Sequence, residues 1–76
     1  MNTTHLLFKA LEAKYRAQIA EAEATLAIYF NNSDGIGEHP QHLEEMDKFI
    51  TQLAEAKDKL DNLYSLTVKT DDELPF

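Results

Sequence analysis

The chain has 76 residues, is 43% hydrophobic, and carries 14 acidic against seven basic side chains, for a formal net charge of −7. These figures exclude a fully disordered or fibrous chain, and the acidic excess argues against direct nucleic-acid binding and adhesion to anionic membranes. The absence of cysteine excludes disulfides, thiolate metal ligands and thiol nucleophiles.

Neither a membrane span nor a targeting segment is visible in the sequence. No apolar run reaches the roughly 18 residues that a membrane-spanning helix needs. The N-terminus has no basic segment followed by an apolar one, which a signal peptide requires. We therefore expect a cytoplasmic protein.

The first predicted helix covers about residues 4–30. Its apolar side chains recur at steps of three and four residues, which is typical of one helix packing on another. Several alanines widen this apolar surface with small side chains that permit close helix approach. We expect Glu12 and Arg16 to form an ion pair on the outside of the helix. The predicted apolar stripe comprises Phe8, Leu11, Tyr15, Ile19, Ala22, Leu26 and Tyr29.

A turn-rich stretch over residues 31–39, dense in Asn, Asp and Gly, is expected to reverse the chain. Pro40 fits the first position of a second helix, where its missing N–H is no loss, and this helix runs to about Leu66. Lys57 falls at the edge of the second apolar stripe, and we expect it to reach past apolar neighbours to water. This stripe comprises Met46, Ile50, Leu53, Ala56, Leu60 and Leu63, with Leu43, Phe49 and Tyr64 beside it.

Two helices of nearly equal length joined by a short turn predict an all-α fold, an antiparallel two-helix hairpin over residues 1–66. Residues 67–76 are predicted to form a flexible acidic tail. Because one small hairpin cannot cover this many large apolar side chains, we predict that two hairpins pair into a four-helix bundle as a homodimer. The predicted oligomer interface comprises Phe8, Leu11, Tyr15, Ile19, Leu26, Phe49, Ile50, Leu53, Leu60 and Leu63.

Metal binding and catalysis have few candidate residues. His39 and His42, with Glu38 and Glu45 nearby, are the residues that could hold a divalent ion. No third histidine lies close in sequence, and a helix cap at His39 with a solvated His42 is the simpler interpretation. Neither serine has an activating histidine and carboxylate, and no strand precedes the paired glycines of the turn. We predict no enzyme activity and no resident metal or cofactor.

The last six residues, Asp71-Asp72-Glu73-Leu74-Pro75-Phe76, place an acidic run before Leu-Pro and a terminal aromatic residue. This tip resembles the C-terminal tip of bacterial single-stranded-DNA-binding proteins, a docking peptide for replication, repair and recombination enzymes. The resemblance covers these six residues alone, since the remainder has neither the β-barrel pattern nor the basic aromatic groove of that family. It implies a protein partner that receives such tips, and no direct contact with DNA.

Each part of the tip suits a step of docking. Phe76 joins an aromatic ring to the α-carboxylate, which fits an apolar pocket with Arg or Lys at its mouth. Pro75 restricts the backbone before this anchor and lowers the ordering cost of binding. The acidic side chains Asp71, Asp72 and Glu73 attract a basic rim and make binding sensitive to salt.

The helical body resembles small uncharacterised proteins of tailed phages. The matching stretches are residues 11–24, which begin Leu-Glu-Ala-Lys-Tyr, and residues 35–48, which begin Gly-Ile-Gly-Glu-His-Pro. This resemblance implies an origin, with the host-cell cytoplasm as the location, and no activity. The sequence thus favours a non-enzymatic interaction module that self-associates and presents its tail to a DNA-metabolism protein. The alternative is a structural bundle or assembly component whose tail is incidental.

Overall fold

The computed structural model describes residues 3–31 and 40–68. Helix α1 spans Thr3–Asn31 and helix α2 spans Pro40–Val68, and the two pack against each other. They run antiparallel, because Tyr29 near the end of α1 meets His42 at the start of α2, and Phe8 meets Tyr64 at the opposite end. The predicted all-α two-helix hairpin is therefore confirmed for the part of the chain described.

Both helices are slightly longer than the sequence pattern suggests. Helix α2 continues past Leu66 through Thr67 and Val68, two residues assigned above to the tail. Threonine and valine are only slightly weaker helix formers than leucine, so neither residue ends a helix. Residues 32–39, which contain most of the predicted turn, and residues 69–76, which contain the acidic tip, lie outside the described residues.

The two helices meet along a line of side chains that we call the seam. Its residues recur in alternating steps of four and three, the repeat of two helices whose axes cross at a small angle. Five apolar residues are buried, and the remaining members are half-buried. The seam comprises Phe8, Glu12, Tyr15, Ile19, Ala22, Leu26 and Tyr29 of α1, and His42, Met46, Phe49, Leu53, Ala56, Leu60 and Leu63 of α2.

Two positions of the predicted stripes differ from the observed seam. Phe49 is half-buried, whereas Ile50 is 48% exposed, so the aromatic residue takes the place that the sequence analysis gave to isoleucine. Likewise the side chain of Glu12 is only 19% exposed, whereas Leu11 is 36% exposed. The helix period allows either neighbour at both places, because steps of three or four lead from Met46 to Phe49 or Ile50 and from Phe8 to Leu11 or Glu12. The strict alternation of steps along the observed seam selects Phe49 and Glu12.

Candidate interaction surfaces

A polar cluster joins the two helices near the N-terminus of α1. The Tyr64 hydroxyl donates to Oε2 of Glu12 over 2.6 Å and accepts from the guanidinium of Arg16 over 2.5 Å. Glu12 also forms ion pairs with Arg16 and Lys9, each at 3.7 Å. The Arg16 guanidinium lies 5.9 Å from the centre of the Tyr64 ring. The expected Glu12–Arg16 pair is present, but its carboxylate lies in the seam and not on the outside.

The cluster shifts the titration of both of its hydrogen-bonded members. The hydrogen bond from Tyr64 lowers the pKa of Glu12, because it favours the charged carboxylate, and the cations Lys9 and Arg16 act in the same direction against partial desolvation. The same hydrogen bond to Glu12 raises the pKa of the Tyr64 hydroxyl, because it favours the neutral phenol. Both shifts follow from contacts that hold the helices in register.

A second polar bridge crosses the middle of the hairpin. Nε2 of Gln52 donates to the backbone carbonyl of Gln18 over 2.9 Å and to Oε1 of Glu21 over 2.7 Å. A single α2 side chain thus contacts two residues one helical turn apart on α1. The groove beside it, of about 330 Å³, is open and mainly polar, and also contains Lys48, Thr51, Glu55 and Lys59.

A more apolar groove of about 330 Å³ lies toward the C-terminal end of α2. Its floor is provided by Leu63, and Lys59 borders it, with its ammonium group 5.9 Å from the centre of the Tyr15 ring. This groove is open to solvent along its length, so it offers a strip of apolar surface and not an enclosed ligand cavity. Its lining residues are Leu11, Tyr15, Lys59, Asn62, Leu63 and Leu66.

The sides of the helices that face away from the seam differ strongly in character. All of their residues are exposed. The outer face of α1 is defined here as Leu6, Leu7, Ala10, Ala13, Lys14, Ala17, Ala20, Glu21, Ala24, Ala27 and Ile28. The outer face of α2 is defined as Glu44, Asp47, Lys48, Thr51, Ala54, Glu55, Asp58, Asp61, Asn62 and Ser65. The first is almost entirely apolar, and the second is mainly acidic.

Most residues of the predicted oligomer interface lie between the two helices of one chain. Only Leu11 and Ile50 of that set are exposed, at the two borders of the seam. Lys57 is exposed, at the edge of the α2 stripe where it was expected. The predicted partner-binding residues Asp71 to Phe76 lie outside the described residues.

The histidine candidates do not assemble into a metal site within the described residues. His42 is half-buried in the seam, with its ring centre 5.6 Å from that of Tyr29, whereas it was expected to be solvated. His39 lies outside the described residues. No group of three or more metal-ligating side chains comes together within residues 3–31 and 40–68. Neither described helix combines the length and apolar character of a membrane span.

The outer face of α1 was not expected from the sequence as a distinct surface. Five of its alanines, Ala10, Ala13, Ala17, Ala20 and Ala24, were expected to widen the packing surface of the hairpin, whereas they and Ala27 are exposed on the opposite side of the helix. The signal was present in the spacing, because Leu6, Ala10, Ala13 and their successors repeat in steps of four and three, two residues out of phase with the seam. One helix thus carries two apolar stripes. No protein-family model, curated protein or solved structure matches the chain.

Proposed function

We propose that this protein is a small interaction module that self-associates through its helices and presents the Asp71–Phe76 tip to a DNA-metabolism protein. The observation that carries the self-association is the amount of large apolar surface left outside the seam. Leu6, Leu7 and Ile28 are each more than half exposed on one helix side, and Phe30 and Leu43 are more than half exposed elsewhere. Large apolar side chains exposed together with alanines along one helix side are the kind of surface that forms interaction sites.

A binding role is also consistent with the polar groups of the hairpin. The two described grooves are open strips, and the shifted pKa values of Glu12 and Tyr64 follow from the hydrogen bond between them. These groups connect α1 to α2 and so support a scaffold. The proposal accordingly assigns no catalytic residue, cofactor or resident metal to the chain.

The tip supplies the second half of the proposal, and its support is the sequence Asp-Asp-Glu-Leu-Pro-Phe at the C-terminus. The test is a titration of the full chain against a purified replication or repair protein that receives single-stranded-DNA-binding-protein tips. We expect saturable binding that a synthetic Asp71–Phe76 peptide competes away and that deletion of Phe76 abolishes. The matched control replaces Asp71, Asp72 and Glu73 by their amides, which keeps the ring and should weaken binding mainly at low salt. Equal affinity after deletion of Phe76 refutes the docking role.

A structural bundle component is the second candidate function, favoured by the apolar outer face of α1. It shares the self-association but assigns no role to the tip. Affinity capture from a host-cell lysate with the full chain and with a chain lacking residues 71–76 separates the two. An identical set of captured proteins favours the structural role, and loss of a DNA-metabolism protein from the truncated sample favours the docking role.

A further inference from the structure

The outer face of α1 carries few of the polar residues that are usual on a solvent-facing helix side. Leu6, Leu7 and Ile28 are 52%, 59% and 66% exposed, and only alanines with the pair Lys14 and Glu21 separate them. A helix that is apolar on both sides is typical of one buried between two neighbours. Helix α2 supplies only one neighbour, on the seam side.

We propose that the outer face of α1 binds the outer face of α1 in a second copy of the chain, with the two helices antiparallel. The inference rests on the self-association proposed above and names the surface that performs it. In this arrangement the two α1 helices form the centre of a four-helix assembly, and each α2 lies outside with its acidic face in water.

Shape favours this occupant. The alanines recur in steps of four and three from Ala10 to Ala27, so they form a continuous shallow stripe along the helix. Two such stripes permit the helix axes to approach to about 8 Å, the lower end of the usual range. Larger side chains stand at both ends, and antiparallel packing brings Leu7 of one copy beside Ile28 of the other. Because the pairing is symmetric, one Leu7–Ile28 contact fills the space at each end of the alanine stripe.

Charge favours the same register. Lys14 and Glu21 flank the alanine stripe on one side, seven residues apart, and the midpoint between them lies about one residue from the middle of the stripe. When Ala17 of one copy lies opposite Ala20 of the other, Lys14 lies beside Glu21 of the second copy. Because the pairing has two-fold symmetry, this contact occurs twice. One oxygen of Glu21 accepts from Gln52, and a carboxylate has further acceptor sites for an ammonium group.

The competing arrangements place like charges together. A parallel pairing of the same faces brings flanking positions five residues apart together, which sets Lys14 beside Lys9 of the second copy and Arg16 beside Glu21. The repulsion of the first pair then offsets the attraction of the second, whereas the antiparallel Lys14–Glu21 contact is attractive both times it occurs. Pairing through the outer face of α2 brings together two surfaces that each carry five carboxylates and one lysine. Like charges that meet across an interface weaken it. The antiparallel α1 pairing avoids both conflicts.

The arrangement has a consequence for the tip. Because α2 ends beside the start of α1, antiparallel α1 helices place the two Val68 residues at opposite ends of the assembly. At 1.5 Å per residue these ends are about 40 Å apart. A partner with two tip-binding pockets therefore gains avidity only if both pockets can be reached from opposite ends of the assembly.

The test is the dimer dissociation constant of the full chain, measured by sedimentation equilibrium. Ala17→Glu introduces a charge at the centre of the proposed contact, and we expect dimerisation to weaken at least about 100-fold. The matched control is Ala54→Glu, the same change on the outer face of α2, which should leave the constant unchanged. Glutamate is a good helix former, and circular dichroism checks that both variants stay helical.

A charge exchange tests the register. Lys14→Glu and Glu21→Lys should each weaken the dimer about tenfold, because two attractions become two repulsions. Combining both in one chain should restore the wild-type constant, since the pair is regenerated in reverse. In a parallel dimer Lys14→Glu would instead strengthen association by removing its conflict with Lys9, and that result overturns the proposal.

The outcomes separate this inference from the proposed function. A wild-type dimer that Ala17→Glu leaves intact overturns the assigned face while self-association stands. A wild-type chain that stays monomeric at millimolar concentration overturns both the face and the self-association. In neither case is the docking of the tip affected, because the titration with the Phe76 deletion measures it independently.

Discussion

The outer faces of the two helices differ in composition, and the difference indicates which helix is suited to contact with water and which to contact with another chain. The outer face of α2 carries five carboxylates and a single lysine among small residues that are polar except for one alanine, the composition of a surface that stays in water. The outer face of α1 carries alanines between leucine and isoleucine, with one lysine and one glutamate. Both helices contribute one side to the shared seam. They therefore differ only in the environment that suits the side facing away from the seam. The outer face of α2 therefore suits a monomer, whereas the exposed apolar outer face of α1 is the reason we propose a second copy of the chain there.

The largest predicted effect concerns the seam, where the two helices should respond alike. Leu26 of α1 and Leu63 of α2 are 6% and 5% exposed. Replacing either by alanine should lower the free energy of unfolding by about 3 kcal/mol, through lost burial and the cavity left behind. Urea denaturation measures the loss. The control Leu43→Ala, at an exposed position, should cost below about 1 kcal/mol. A large difference between the two seam variants would mean that one helix is held by contacts outside the seam.

A smaller effect is expected from the hydroxyl that links the helices. Tyr64→Phe keeps the ring against Phe8 but removes the hydrogen bonds to Glu12 and Arg16. We expect the midpoint of thermal unfolding to fall by roughly 5 °C, the scale for one such interaction in a domain of this size. Tyr15→Phe is the matched control, since it changes a seam tyrosine outside this cluster. Equal midpoints for Tyr64→Phe and the wild type would show that the cluster does not stabilise the hairpin.

The pH dependence follows from the same cluster with a defined sign. The pKa of Glu12 lies below its ordinary value of 4.5, so its contribution to stability is complete above that pH and is lost as pH falls through the lower folded-state value. The pKa of Tyr64 lies above 10.0, so its contribution is complete below pH 10.0 and is lost as pH rises through the raised value. The cluster therefore contributes fully between these limits.

Glu12→Gln tests the acid side of this dependence. Between pH 3 and pH 6 the free energy of unfolding should fall less steeply on acidification in Glu12→Gln than in the wild type. The reason is that the variant lacks the carboxylate whose protonation is coupled to unfolding. Glu55→Gln, on the outer face of α2, is the control and should keep the wild-type slope. If both variants change the slope equally, the effect belongs to the general acidic charge and not to the seam.

The sequence predicts the fold because apolar periodicity and turn residues act locally, and both helices follow from them. The sequence does not show which of two neighbouring apolar residues enters the seam, as Phe49 and Ile50 illustrate. That choice depends on how the partner helix is rotated against α2. Glu12 was placed outside on the ground of its charge, whereas Tyr64 supplies a hydrogen bond that makes a position in the seam acceptable. That bond joins residues 52 positions apart, which no local pattern reveals. The tip remains a prediction from six residues.

A further prediction concerns the bridge from α2 to the outer face of α1. Gln52→Ala removes the hydrogen bonds to the Gln18 carbonyl and to Glu21, and should lower the free energy of unfolding by about 1 kcal/mol. Gln52 also holds the side chain of Glu21, which is proposed to meet Lys14 of a second copy. The dimer dissociation constant should therefore also rise by a few-fold. Gln18→Ala is the control, since it keeps the backbone carbonyl and should leave the dimer constant unchanged. An unchanged dimer constant for Gln52→Ala would separate the bridge from the assembly.

The smallest predicted effect lies on the outer face of α2. Lys48 pairs with Glu45 over 3.1 Å, and both side chains are well exposed to solvent. Removing this pair by Lys48→Ala should change the free energy of unfolding by less than about 0.5 kcal/mol, because water and salt screen exposed ion pairs and ordering two long side chains costs entropy. The variant also removes the one lysine of that face, so the face becomes wholly acidic while the dimer constant stays at its wild-type value. A clear loss of dimer in Lys48→Ala would mean that the acidic face of α2 also contacts another chain. The proposed difference between the two outer faces, one in water and one in a dimer contact, would then be wrong.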